Sequence, residues 1–232
     1  MRFGHRPKAV LSTLTPTQVA ELRSVGTADT YRKNATIYEL GESSDRIYLV
    51  LRGRVRLRDR DRDGRAITVA FAAQGEAFGL EALADISKRV LYATAAEKSE
   101  VLSVAVDRLK DLLVRDADLS RGLLRHLAAI STHADERIKM LAFLDVPSRL
   151  AGTLLWLADR YGIASNGGME VPYWFTHQEL ADLIGSTRET VTTVLAEFRR
   201  AGLITSRNHH FVLQNPEGLR SQVGLPEFAD GR

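Results

Sequence analysis

The sequence predicts an α+β protein in three parts: an antiparallel β-barrel or sandwich of jelly-roll type, a long helix, and a winged helix-turn-helix. Three observations lead to this prediction. Apolar residues alternate with period two in several short segments between about residues 31 and 104. A helical period then runs from residue 118 to about 143. Beyond it, two short capped helices separated by a glycine precede a hairpin pattern.

Composition narrows the possible functions. The 232 residues are 44% hydrophobic and 26% charged, which is typical of one large or two modest globular domains. The absence of cysteine excludes a disulfide framework, an iron–sulfur cluster held by cysteine and a cysteine-type zinc site. No apolar run approaches the roughly 18 residues of a membrane span. No apolar stretch follows the basic residues 1–8, so we expect no secretion signal, no membrane partner and a cytoplasmic location.

Net charge gives only a mild indication of a polyanionic partner. The whole chain carries +3, but residues 147–232 hold 8 basic and 9 acidic side chains. Any interaction with nucleic acid must therefore depend on local geometry.

The first part begins with a helix and continues as strands. Thr15, Pro16 and Gln18 form a capping-box pattern, and Gly26 is expected to end that helix. Strands follow from about Tyr31, with Asp63-Gly64 as a hairpin signal. One strand carries arginine at every second position: Arg54, Arg56, Arg58 and Arg60. These residues indicate either a basic recognition ribbon or, as we favour, a solvated edge strand that resists aggregation.

The long helix carries two apolar stripes. The first, with alternating steps of four and three, is Ser120, Leu124, Leu127, Ser131, Ala134, Ile138 and Leu141. The second is Leu119, Leu123, Ile130 and Met140. One stripe would pack on the barrel and the other on an identical helix, giving a homodimer. The alternative is one wide stripe buried within a single chain. His126 and His133 are seven residues apart and could be imagined as haem ligands, but we favour surface histidines and expect no haem.

A helix-turn-helix pattern occupies residues 176–202. Thr176 and Glu179 form one capping box and Ser186 with Glu189 a second, while Gly185 and Gly202 end the two helices. A second helix of this kind enters the major groove, with its N-terminal residues near the base edges. Those residues are Arg188, Glu189, Thr192 and Thr193.

The types of these residues suit base recognition. Arginine can bond to guanine and glutamate can accept from cytosine. The alternatives are that Glu189 only caps the helix, that Arg188 is merely solvated, and that the segment is an αα-hairpin without a role in DNA binding. Residues 203–206 and 210–213, joined by a turn at 207–209, predict the hairpin wing.

Asp145-Val146-Pro147 breaks the long helix and begins the next one. We therefore predict a first domain at 1–116, a dimerisation helix and hinge at 117–145, and a third part at 146–232.

Several motifs occur in one order along residues 12–220. They are residues 41–55, 75–79, 141–146, 176–181, 185–191 and 202–204. In these motifs the chain resembles the Crp–Fnr family of bacterial transcription regulators. The resemblance implies a cyclic-nucleotide-binding-like β-roll, a dimerisation helix, and a winged helix-turn-helix that reads a palindromic site. It implies double-stranded DNA, RNA polymerase and a second copy of the chain as partners, with the loop at 164–168 in the region that the family presents to polymerase.

The same resemblance assigns roles in the last part. His177, Gln178, Ser186 and Thr190 would contact phosphates, while Arg188 and Glu189 would read a half-site akin to TGTGA. Thr193 stands where the cyclic-AMP receptors carry an arginine. The predicted DNA-binding set is His177, Gln178, Ser186, Thr187, Arg188, Glu189, Thr190, Thr192 and Thr193.

The effector site departs from the family. The cyclic-nucleotide cassette has Gly-Glu, with Arg-Ser about nine residues on, and a Thr-Ser pair on the long helix. The corresponding residues here are Gly79, Leu80, Glu81, Arg89, Val90, Ala134 and Asp135. Glu81 stands one place late, and Val90 and Asp135 cannot donate as hydroxyls do. These departures predict that cyclic AMP is not the effector, and they leave Arg89 either to bind another anion or to form a structural ion pair.

We therefore predict a homodimeric, sequence-specific DNA-binding transcription regulator, an activator, controlled by another effector or active without one. A regulatory subunit of cyclic-nucleotide-binding type is the alternative, but it leaves residues 176–213 unexplained. An enzyme is not expected, because no nucleophile–base pair, HExxH-type metal spacing or P-loop is found.

Overall fold

The computed structural model describes residues 15–60, 62–64 and 66–223, which divide into two compact units at 131/132. The long helix α3 (Ala117–Phe143) contributes its first half to one unit and its second half to the other. The basic residues 1–8, on which the secretion-signal prediction depends, lie outside the described residues. None of the helices described is long and apolar enough to cross a membrane.

The first unit is a β-roll of two antiparallel four-stranded sheets, ordered β1-β8-β3-β6 and β2-β7-β4-β5. Its helices besides α3 are α1 (Pro16–Ser24) and α2 (Val106–Arg115). Its strands are β1 (Gly26–Tyr31), β2 (Thr36–Tyr38), β3 (Arg46–Arg52), β4 (Arg54–Arg60), β5 (Ala66–Ala73), β6 (Ala77–Phe78), β7 (Tyr92–Ala95) and β8 (Ser99–Ala105). A short 3₁₀-helix (Leu80–Ala84) follows β6. The predicted jelly-roll architecture is confirmed.

At the start of this unit, the N-terminal cap of helix α1 forms as predicted, but the first strand begins elsewhere. Thr15 and Gln18 form the expected capping box. Strand β1, however, begins at Gly26, earlier than predicted, and pairs with β8 along its whole length to Tyr31. The residues of β1 are mostly exposed, so no apolar alternation marked this strand, and only its distant partner defines it.

Strand β3 serves two cores. The sequence suggests alternation, yet all five residues from Ile47 to Leu51 are buried. Ile47, Leu49 and Leu51 pack with α1, α2 and the first turn of α3, whereas Tyr48 and Val50 pack with the other sheet. The strand is therefore buried on both faces because helices cover the side away from the second sheet.

The arginine strand is not an edge. Strand β4 lies between β7 and β5, so the expectation of a solvated edge strand is wrong. Arg54 is only 1% exposed, and its guanidinium lies 4.5 Å from the centre of the Phe71 ring. Arg58 and Arg60 lie 5.6 and 4.4 Å from the Tyr92 ring. Cation–π contacts let these charged side chains cover aromatic surface in the middle of a sheet.

The two apolar stripes of the long helix differ only in part in their burial. Leu119 and Leu123 are buried in the first unit, as predicted. Ile130 of the same stripe is 42% exposed, contrary to prediction, because it lies beyond the turns that the β-roll covers. Most apolar members of the other stripe, Leu124, Leu127, Ile138 and Leu141, are exposed as well. The alternative of one wide stripe buried within a single chain is therefore wrong.

The second unit combines helices with an antiparallel sheet ordered β11-β12-β10-β9. After the second half of α3 it contains α4 (Val146–Tyr161), β9 (Ile163–Ser165), β10 (Gly168–Val171), α5 (His177–Ile184), α6 (Arg188–Arg200), β11 (Ile204–Arg207), β12 (His210–Leu213) and α7 (Pro216–Val223). Asp145 caps α4 by accepting from the Ser148 backbone N–H at 3.0 Å. Leu150, Leu154 and Leu157 are fully buried and anchor this unit.

We expect Gly53→Ala to destabilise the β-roll more than Gly64→Ala. Both glycines have positive φ, +82° and +78°, so each alanine carries a left-handed cost of about 1–2 kcal/mol. Only at Gly53 would the new Cβ also lie 2.6 Å from the carbonyl oxygen of Lys98; at Gly64 nothing lies within 4 Å. Urea unfolding of the two full-length variants measures the difference. Equal losses would contradict this account of the β3–β4 turn.

Candidate functional site

The turn between α5 and α6 forms as predicted at its first helix. Thr176 and Glu179 make a reciprocal capping box, and Gly185 ends α5 with φ +61°. A Cβ on Gly185 would lie 3.0 Å from a methyl of Leu141 on α3, so glycine fits both the backbone and the space.

The second helix begins one residue later than predicted. Its N-cap is Thr187, whose hydroxyl accepts from the Thr190 backbone N–H at 3.2 Å. The predicted capping box of Ser186 and Glu189 is wrong, because the Ser186 N–H is used to close α5 through a 2.9 Å bond to Ala181. Within the part of the chain that the structure describes, the exposed Glu189 carboxylate makes no hydrogen bond or ion pair.

Helix α6 has one buried and one exposed face. Val191, Val194, Leu195 and Phe198 are buried, as the helical period predicts. Arg188, Glu189, Thr192 and Thr193 are exposed. The hydroxyls of the two threonines donate to carbonyls one turn back, at 2.8 Å and 3.2 Å, so their methyl groups are turned away from those bonds.

An open groove of about 870 Å³ lies between α6 and the wing. Of the predicted residues, His177, Gln178 and Arg188 line it. The remaining six, Ser186, Thr187, Glu189, Thr190, Thr192 and Thr193, lie on the adjoining turn and helix face. Local bonds orient several of them: His177 Nδ1 is 2.7 Å from the Thr192 hydroxyl, the Thr187 and Thr190 hydroxyls are 2.9 Å apart, and Gln178 donates to Asp182 at 2.8 Å.

The groove contains residues that the sequence analysis did not select as contacts. Arg199 donates to the Ser206 hydroxyl at 3.2 Å and so ties α6 to the wing. Trp174, 48% exposed, lies with its ring centre 5.4 Å from that of His209 at the wing tip. The position of His209 at the wing tip could have been predicted, because Asn-His between two strands suits a two-residue turn. Nothing in the sequence marked Trp174.

The wing turn is shorter than predicted. Asn208 and His209 alone form it, with φ of +49° and +67°, and Arg207 pairs with His210 as the last rung of the hairpin. These values match the primed turns that suit the twist of hairpin strands.

The charge of the groove resides on its arginines. Burial, followed by the nearby Arg199 and Arg188, lowers the pKa of His177, so its imidazole is neutral at neutral pH. Arg188 and Arg199 remain as the cations beside it, a suitable arrangement for a polyanion.

In the β-roll the structure brings Gly79, Glu81 and Arg89 together. Arg89 is 2% exposed; its Nη1 donates to Glu81 at 2.9 Å and to the Gly79 carbonyl at 3.2 Å, and its Nη2 donates to the Arg46 carbonyl at 2.5 Å. Arg89 therefore forms an ion pair with Glu81, which is one of the two roles predicted for it. Burial, together with the Glu81 carboxylate, raises the pKa of Tyr38, whose ring lies beneath the guanidinium.

The other predicted effector residues are not part of this cluster. Leu80 packs against the apolar core, and Val90 is 54% exposed. Ala134 and Asp135 lie exposed on the half of α3 that belongs to the second unit.

The two histidines of α3 have packing roles, so the expectation of surface residues is wrong. His126 is 2% exposed, with Nε2 3.0 Å from the Ala77 carbonyl. His133 stacks on Trp156 of α4, with ring centres 3.9 Å apart and planes 8° apart. Burial, followed by Arg137 and Arg160, lowers the pKa of His133 to about 3.

The second half of α3 also contacts the end of α5. Arg137 donates to the Leu183 carbonyl at 3.1 Å, and Arg149 of α4 donates to the Gly185 carbonyl at 3.5 Å. These carbonyls belong to a helix end that has no partner within its own helix.

Comparisons with known proteins assign both units. Residues 28–116 match the cyclic nucleotide-binding domain and residues 148–222 match the Crp-like helix-turn-helix domain. The chain is 31% identical over 196 residues to the global nitrogen regulator of Synechocystis, covering 84% of this chain and 87% of that protein. The chain belongs to the Crp–Fnr family of transcription regulators. As a Crp–Fnr protein it is a DNA-binding regulator whose helix-turn-helix is α5 and α6.

Two further Crp–Fnr relatives are similar over most of their length. The CRP-like cAMP-activated global transcriptional regulator of Mycobacterium tuberculosis is 29% identical over 210 residues, 90% of this chain and 94% of that protein. The structure of FixK2 from Bradyrhizobium japonicum is similar with a TM-score of 0.75 and 28% identity, covering 85% of this chain and 97% of that one.

The partly buried His133 is expected to lower the free energy of unfolding in mild acid. The unfolded chain binds a proton there below about pH 6.5, whereas the folded chain does so only near pH 3, so stability is lost as pH falls through this window. Between pH 7.5 and 5.5 we expect the second unit to lose about 1 kcal/mol from this group.

Urea unfolding at the two pH values, for the full chain and for His133→Phe, measures this contribution. Phenylalanine keeps a ring against Trp156 and removes the titration, so the variant should lose less stability than the wild type. The same loss in both proteins would show that His133 does not cause it.

Proposed function

We propose that the chain is a homodimeric transcription activator that acts in the bacterial cytoplasm and reads a palindromic site with TGTGA-like half-sites. The observation that carries the proposal is the first turn of α6, where Arg188 and Glu189 are both exposed and the carboxylate is not used as a cap. An arginine and a glutamate that are both exposed at the N-terminus of a recognition helix suit the reading of a G·C base pair.

The residues around this turn would hold the helix on the duplex. His177, Gln178, Ser186 and Thr190 would contact phosphates, and Arg199 would add a further contact from the groove. Thr192 and Thr193, whose hydroxyls bond to the helix backbone, would offer methyl groups to thymine.

Dimerisation is supported by the apolar stripe of α3. Leu124 and Ile138 are each 64% exposed, and Leu127, Ile130 and Leu141 are exposed as well. Four of these large apolar side chains, Leu124, Leu127, Ile138 and Leu141, keep the heptad spacing of the stripe, which suits pairing with the same helix of a second copy. Two copies would present two α6 helices to half-sites about one turn of DNA apart, roughly 34 Å.

Activation needs a surface for RNA polymerase, and the β9–β10 hairpin with its Asn166-Gly167 turn is our candidate. Control would be a shift between populations in which the end of α3 holds the two recognition helices at different spacings. Haem and iron–sulfur control are not proposed, because both histidines of α3 are used in packing and the chain has no cysteine.

We also propose that cyclic AMP is not the effector. A cyclic phosphate needs a free cation and hydroxyl donors, but Arg89 already bonds three acceptors and Val90 has no donor. The residues present therefore do not fit this ligand.

Arg188→Ala tests base reading. Loss of a bidentate contact should weaken binding to a TGTGA palindrome by about 1–3 kcal/mol and relax the preference at one G·C pair. Fluorescence anisotropy with the matched duplex, and with duplexes changed at that pair, measures both effects. Arg220→Ala, on α7 and outside the groove, is the matched control and should change neither. A uniform loss on every duplex would contradict base reading by Arg188.

Leu124→Glu with Ile138→Glu tests the dimer. Two carboxylates on the apolar stripe should convert the protein to a monomer, because burying them in an interface would be costly. The fold should persist, since both side chains are exposed in the single chain. Sedimentation equilibrium and operator affinity are the measurements. Val114→Glu, at a residue 88% exposed on α2, should leave the dimer intact. An unchanged mass for the double variant would exclude this interface.

A further inference from the structure

We infer that Glu81 is a built-in counter-ion that occupies the anion site of the β-roll, so that the cation Arg89 is neutralised by the chain itself. The site would accept a small oxyanion only when the Glu81 carboxylate is removed. This inference goes beyond the proposed function and does not depend on DNA binding.

The first support is the state of Arg89. Its side chain is 1% exposed and that of Glu81 is 15% exposed, with Nη1 and Oε1 2.9 Å apart. The guanidinium also donates to the carbonyls of Gly79 and Arg46. A cation held this deeply needs a compensating negative charge, and Glu81 supplies it.

The second support is the shape of the site. The guanidinium lies 4.4 Å from the centre of the Tyr38 ring and 5.2 Å from that of Tyr48. On the Gly79 side, an added Cβ would be 2.8 Å from Nη1. The two tyrosine rings and the backbone at Gly79 therefore surround the guanidinium of Arg89 on their sides. The carboxylate of Glu81 completes these surroundings at Nη1.

The third support is the placement of Glu81 by the backbone. Glu81 lies in the first turn of the 3₁₀-helix (Leu80–Ala84), and its carbonyl accepts from the backbone N–H of Asp85 and, at 3.3 Å, of Ile86. Asp85, with φ +56°, in turn pairs with Lys110 of α2 at 2.8 Å. The turn that carries Glu81 is thus fixed at its C-terminal end by backbone bonds and by the Asp85–Lys110 pair.

These contacts exclude a second anion. A phosphate approaching Arg89 would meet a carboxylate bonded to the same nitrogen, and two anions beside one buried cation repel. Without Glu81, Nη1 would be exposed to an entering oxyanion.

Chemical rescue tests the inference. We expect Glu81→Ala to lower the unfolding temperature of the β-roll in the full chain, and inorganic phosphate to restore it in a saturable manner, because a ligand that binds only the folded state stabilises it. Sodium chloride at equal ionic strength should restore less. The wild type should gain nothing beyond the salt effect and should bind no cyclic AMP by calorimetry.

Three variants serve as controls. Glu81→Ala with Arg89→Met should show no phosphate rescue, since the cation is gone. Glu39→Ala, which breaks an exposed pair with Arg60 at 3.8 Å, should show neither the loss nor the rescue. Glu81→Gln keeps the shape of the side chain without its charge, so this variant should fold even if Glu81→Ala does not. Phosphate should still stabilise it.

Saturable stabilisation of the wild-type β-roll by phosphate or cyclic AMP would overturn the inference. So would single substitutions at Glu81 that phosphate does not stabilise. Operator binding is measured separately in each variant, so failure of the rescue is distinguishable from failure of the DNA-binding proposal.

Discussion

The close approach of Gly185 to Leu141 is the constraint on which the DNA-binding unit depends. The left-handed turn there sets the direction in which α6 leaves α5, and the absence of a side chain lets the end of α3 lie against it. Arg137 and Arg149 then bond the carbonyls of Leu183 and Gly185, which the end of α5 leaves open. The end of α5, from which α6 leaves, is therefore bonded to the long helix α3 through Arg137 and to α4 through Arg149.

The sequence predicted best those features that short segments decide alone. The capping boxes of α1 and α5, the glycine after α5 and the hairpin wing depend on residues within three or four positions of each other. The start of α6 was missed by one residue because the Ser186 N–H is shared with the preceding helix. A local pattern cannot show which of two helices uses a given backbone group.

Features that depend on distant partners were predicted less well. The arginines of β4 predicted a solvated edge strand, but the neighbouring strands β5 and β7 place aromatic rings beneath these side chains. The histidines of α3 read as surface residues, yet Ala77 and Trp156, far away in sequence, bury them. In the candidate site the helix residues were found from spacing and resemblance, whereas Trp174 and Arg199 needed the wing to be folded beside them.

The two tryptophans report on different parts of the second unit. Trp156 is covered by the neutral His133 ring, where α3 meets α4, while Trp174 borders the groove beside the wing tip. Since these are the two tryptophans of the chain, replacing either one by phenylalanine leaves a single tryptophan, which can be excited selectively over the six tyrosines. The emission of one would then follow the junction of the long helix, and that of the other the surface facing the duplex. The protein thus carries its own optical labels for separating a rearrangement of its hinge from the arrival of DNA.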